Sequence, residues 1–142
     1  MSFVHRFSFK AILAGVVLML VLLPAIAYGL WYLASWWFQA QGGGDAQMAQ
    51  AVTEFLDGNL GTLALLLVGG AMCIPGGYVT ARLAPAHPYA NNLVVAGLLT
   101  AISIGLAIGT GSGWDWWFDL ANAFFTVAGC WFGGWLVARR GR

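Results

Sequence analysis

The sequence predicts an all-α membrane protein with four transmembrane helices, and three observations carry that prediction. Of its 142 residues, 61% are hydrophobic and only 8% are charged, whereas a soluble domain carries about a quarter charged. Four charge-free runs cover residues 11–44, 58–81, 83–114 and 120–138, each long enough to hold the roughly 18 apolar-rich residues of a membrane span. Buried helices of a soluble core do not account for four such runs in so short a chain. The charges also segregate. Arg6 and Lys10 precede the first run, Arg82 follows the second, and Arg139, Arg140 and Arg142 follow the fourth. Asp45, Glu54 and Asp57 follow the first run, and Asp115 and Asp119 follow the third.

Short connections rich in Lys and Arg stay in the cytoplasm. The expected topology therefore has both termini inside, two acidic connections outside, and the protein in the inner membrane. Trp31, Tyr32, Trp36 and Trp37, and later Trp114, Trp116 and Trp117, fall at the outer ends of the predicted spans, where indole rings prefer the half-wet interface. The net charge of +1 leaves no electrostatic footprint for nucleic acid.

Residues 1–142 read as a single membrane domain, and each element has its reason. The first span covers about 11–33, with Pro24 expected to kink or break it. The basic start, AILAGVVLMLVLL and then Pro24-Ala25-Ile26-Ala27 also fit a cleavable signal peptide. Apolar character that continues to Phe38 favours an uncleaved span. After the turn QGGGD, Asp45 is expected to cap a short outer amphipathic helix over 45–57. Met48, Val52, Phe55 and Leu56 share one of its faces, and Gly58 ends it. The second, third and fourth spans cover about 60–81, 92–109 and 117–138. Pro85 and Pro88 make LAPAHPYANN a tight inside connection.

CIPGGYVTAR (73–82) returns as CWFGGWLVAR (130–139). Ala14-Gly15 and Trp36-Trp37-Phe38 precede the first copy, as Ala96-Gly97 and Trp116-Trp117-Phe118 precede the second. The ordered set predicts a tandem duplication of a helical hairpin, with the segment from Gln39 to Gly61 inserted in the first half. Cys73, Gly76, Gly77 and Arg82 thus correspond to Cys130, Gly133, Gly134 and Arg139. Apolar tails provide no hydrophobic force between helices, so small residues must let backbones approach. Gly69-Cys73-Gly77-Ala81, Thr126-Cys130-Gly134-Ala138 and Gly97-Ala101-Gly105-Gly109 are such stripes. They predict a tight seam among the second, third and fourth spans, with the aliphatic first span facing lipid.

Cys73 and Cys130 stand nine residues before Arg82 and Arg139, about 13 Å into the membrane. Matching depth would let them pair or take a soft metal. Without a CxxC, and with His5 and His87 outside the spans, they read as polarizable packing residues, and no cofactor or metal is expected. Asp119, Asn122 and Thr126, continued by Cys130, form a polar stripe on one face of the fourth span. Such a stripe serves interhelical hydrogen bonding or a solute route. No HExxH, nucleophile elbow, paired intramembrane carboxylates or phosphate-cradling loop is present. GTGSG (109–113) lacks a following lysine and reads as a turn. The chain is therefore expected to have no enzymatic activity.

At GGYVTARLAP, followed by a Pro-containing connection and another apolar run, the chain resembles uncharacterised small four-helix bacterial inner-membrane proteins with a GGYxxAR helix end. The resemblance covers mostly residues 69–110 and implies a fold without an activity. The carboxylate of small multidrug exporters is missing from the first span, and the phenylalanines of fluoride channels from the third. The leading expectation is a non-enzymatic accessory or assembly subunit acting through helix packing and its outer segment. Its partners would be the lipid bilayer and a second copy or another membrane protein. The alternative is a small oligomeric transporter or channel that uses the fourth-span stripe.

Overall fold

The computed structural model describes residues 7–110 and 116–140. Among these residues there are five helices and no strand: α1 (Phe9–Ala40), α2 (Asp45–Asp57), α3 (Asn59–Leu83), α4 (Pro88–Thr110) and α5 (Trp116–Arg140). All but α2 are long and apolar enough to cross a membrane. Most of the GTGSG turn, together with His5, Arg6, Trp114, Asp115 and Arg142, lies outside the described residues.

Local chemistry explains the ends. The Ser8 side chain accepts a hydrogen bond from the Ala11 N–H. The Ser8 N–H in turn donates to Asn91 Oδ1 at 2.8 Å, while Asn91 Nδ2 donates to the His87 carbonyl. These bonds pin the start of α1 onto the start of α4. Pro24 neither stops α1 nor breaks it. In hydrocarbon no water competes for backbone groups, so a continued helix is the state that satisfies most of them. With 32 residues α1 is about 48 Å long, well beyond the ~30 Å hydrocarbon layer.

The expected cap of α2 shifts by one residue. Gly44 is the N-cap, and Gln47 Oε1 accepts its N–H at 3.3 Å, which leaves Asp45 inside the first turn. Met48 is the buried residue of this helix, whereas Phe55 is exposed. Gly58 alone joins α2 to α3. The fold-back is so close that a Cβ on Gly61 would lie 2.9 Å from Leu56 Cα. The α3–α4 connection is only Ala84–His87, because Pro88 opens α4. A proline in a first turn forfeits no helical hydrogen bond. Pro75, not anticipated as a feature, lies inside α3 with its ring exposed.

The four long helices form a closed ring, α1 against α3, α3 against α5, α5 against α4 and α4 against α1. The pair α3–α5 is packed most closely, with glycines as the reason. A Cβ on Gly77 would lie 2.7 Å from Cys130 Cα. One on Gly133 would lie 2.6 Å from the Tyr78 nitrogen, and one on Gly129 would meet the Gly70 carbonyl. Backbone thus meets backbone, as expected of a small-residue seam.

Two packing expectations are corrected. The first span is not simply lipid-facing. Ala11, Ile12, Gly15, Val16 and Met19 are buried, Gly15 lies against Thr80, and Met19 packs on Gly76. Gly15 makes the room, and the Thr80 hydroxyl donates to the Gly76 carbonyl at 2.9 Å instead of facing α1 unpaired. The third span does not join the seam through its glycines. Gly97, Gly105 and Gly109 have no atom within 4 Å of a would-be Cβ. α4 turns Asn92, Val95, Ala96 and Leu99 inward instead, because these bulkier groups fill space that glycines would leave empty.

Candidate functional site

The main buried cluster lies towards one end of the ring. Ile12, Val16, Met19, Cys73, Val95, Ala96, Leu99 and Cys130 form one buried cluster. Towards the other end the helices part around a cavity of about 470 Å³, to which all four long helices contribute. This volume is in the range of small-molecule sites, roughly 300–1,000 Å³. Leu20, Leu23, Leu99, Ile102 and Leu106 make the wall largely apolar. Pro24 lies in that wall one helical step from Leu20 and removes the N–H that the Leu20 carbonyl would otherwise engage. Gly69 contributes open space, since nothing lies within 4 Å of its would-be Cβ.

A polar strip crosses this wall where α4, α5 and α3 converge. Asn122 Nδ2 donates to Ser103 Oγ at 3.2 Å. Thr126 is buried one turn further on, beside Cys73, and both also line the cavity. The sulfurs of Cys73 and Cys130 are hydrogen-bond neighbours, and both thiols are free and buried. An apolar chamber with a few convergent hydrogen-bonding groups on one side is suited to binding a molecule of the same character.

The sequence stripe thus divides. Asn122 and Thr126 come together at the cavity, while Asp119, half-buried, is not part of its wall. Among the repeat residues, Cys73, Gly77, Cys130 and Gly133 meet in the α3–α5 seam. Gly76 is taken by Met19 and Gly134 by Asn92. Arg82 is exposed at the end of α3, and Arg139 extends over the Trp135 ring, 5.3 Å from its centroid. Among the described residues no group of three His, Cys, Asp or Glu side chains converges.

Four contributors escaped the sequence reading. Ser103 was hidden in an apolar run, where no spacing set it apart from Thr100. Gly70 and Gly129 lie one residue off the expected stripes. Asn92, 1% exposed, donates through Nδ2 to the Cys130 carbonyl at 2.7 Å and so fastens α4 to α5. An amide at the edge of an apolar run is a signal of such bonding, but edge position alone also fits an interfacial residue.

No family model, curated protein or solved structure matches this chain.

Proposed function

We infer that this chain is a non-enzymatic multi-pass protein of the inner membrane that binds a small, mainly apolar molecule in the cavity between its spans. One observation carries the reading: Asn122 and Thr126, two uncharged polar residues of α5, line a half-open cavity to which all four spans contribute. The occupant would lie against the leucines and exchange hydrogen bonds with Ser103, Asn122 or Thr126. That makes the transporter or channel alternative concrete as a solute-binding step. Both termini are cytoplasmic in this reading, and α2 lies outside, as the segregated cations and carboxylates favour. A duplicated hairpin is supported by α1–α3 and α4–α5 each packing as neighbours.

Gly69 supplies the test. Its would-be Cβ meets nothing, so a leucine there fills the chamber without displacing a neighbour. Small molecules extracted from protein purified in mild detergent are identified by mass spectrometry, with Gly69→Leu as comparison. A compound present in the wild type and lost from a still-folded Gly69→Leu supports the reading. A compound equally abundant in both, or none in either, ends it.

The accessory reading is favoured by a separate observation, the open face of Gly97, Ala101, Gly105 and Gly109 on α4. Small-residue faces drive helix association in bilayers, and a second copy of the same face is the simplest partner. Ala101→Cys oxidised in native membranes is expected to give a disulfide-linked dimer. Leu67→Cys, exposed on α3 and diagonally across the ring from this face, is expected to remain monomeric. Two monomeric variants would refute self-association through this face.

A further inference from the structure

Where the first turns of α4 meet the last turns of α5, the ring carries an outward-facing groove. A cleft of about 360 Å³ has Leu93 and Val127 along its depth and Tyr89 and Trp131 at its mouth. Past Tyr89 a second hollow of about 270 Å³ leads to Trp135 and Arg139. The Tyr89 and Trp131 rings stand 5.9 Å apart between centroids, and Arg139 is held over Trp135. From Val127 to Arg139 the helix rises about 18 Å, close to the ~15 Å depth of one leaflet's hydrocarbon. The groove therefore grades from apolar to aromatic to cationic over the depth of a single leaflet.

Two features ask for a polar occupant. Arg139 is exposed, and every carboxylate among the described residues lies at the far end of the bundle, so the guanidinium has only a ring beneath it. Asn92 lines the cleft, and its buried Oδ1 has no hydrogen-bond partner, although its amide nitrogen is used. A buried acceptor without a donor is costly, and the side chain cannot turn away without losing its bond to α5. We propose that the groove holds one anionic, hydroxyl-bearing glycerophospholipid. Arg139 takes its phosphate, an acyl chain lies along Leu93 and Val127, and a headgroup hydroxyl folded into the mouth supplies the donor for Asn92 Oδ1.

Full-length protein is delipidated in mild detergent and titrated with phosphatidylglycerol or phosphatidylcholine, and lipid retention is followed by native mass spectrometry. One phosphatidylglycerol is expected to survive activation that strips phosphatidylcholine. Arg139→Gln is expected to lower its retention about fivefold, the effect of one basic residue at an anionic headgroup. Arg82→Gln removes the same charge from the same membrane end, away from the groove, and is expected to leave retention unchanged. Equal retention of both lipids, retention of neither, or equal losses in the two arginine variants would overturn the assignment. The lipid mass separates this result from any smaller compound in the cavity between the spans.

Discussion

Gly77 and Gly97 are the same residue in the same kind of helix, yet their surroundings are opposite. A methyl group on Gly77 would press into the Cys130 backbone, whereas on Gly97 it would meet nothing. Gly77→Ala is expected to cost about 1–3 kcal/mol, the usual penalty of overpacking. Gly97→Ala should be neutral or gain up to about 1 kcal/mol from the helix preference of alanine. Thermal unfolding of both variants in detergent checks the contrast, and equal shifts would contradict the seam. The repeated CxxGG spacing did reveal that Cys73 and Cys130 sit at matching depth on close-packing helices. It could not reveal that Asn92 reaches the Cys130 carbonyl, because that bond depends on which helix faces α5. Nor could spacing place Asp119 outside the chamber while its stripe neighbours line it, since residues on one helical face share a direction without sharing a neighbour.

Helix α2 is held mainly by one side chain. Met48 is 1% exposed, while Phe55, expected on the same face, is 53% exposed. Met48→Ala removes the anchor at a cost of about 2 kcal/mol or more. Amide exchange across residues 45–57 should then accelerate about 30-fold while α3 and α5 stay protected. Unchanged exchange would mean that α2 is held by its flanking turns instead. The extent of the elements was largely open to sequence reasoning: 45–57 falls on α2, and 60–81 and 117–138 lie within α3 and α5 by a residue or two. The first span, expected to end near 33, runs on to Ala40, and the other differences lie at prolines. Pro24 was expected to kink or break α1, and the helix runs through it unbroken, because hydrocarbon removes the water that would solvate a broken turn. Pro88 was assigned to a connection and instead starts α4. In both cases the ring's steric rule is the same, and its position relative to the helix start decides the outcome.

At the level of the whole molecule, segregated charge predicts which ends face the cytoplasm. Cys73 and Cys130 are buried, which gives a quiet background for thiol labelling. Gln50→Cys should react with a membrane-impermeant maleimide in intact cells, and His87→Cys only after the membrane is opened. The reverse pattern would invert the topology. The order of helices around the ring and the cavity that they line were not legible in the sequence. In a soluble protein the polar face of a helix shows which side looks out. Here lipid tails and packed side chains are equally apolar, so the face turned to a neighbour and the face turned to lipid read alike. This also inverts the usual map of mutational freedom. Exposed Leu13, Val17, Val21, Leu63 and Leu67 can exchange with other aliphatics at little consequence, since lipid is indifferent to their shapes. Gly77, Gly129 and Gly133, among the smallest residues of the chain, have no substitute without a cost in packing. Over evolutionary drift the bulky residues will scatter while these gaps persist, so a distant relative would be recognised by where its side chains are missing.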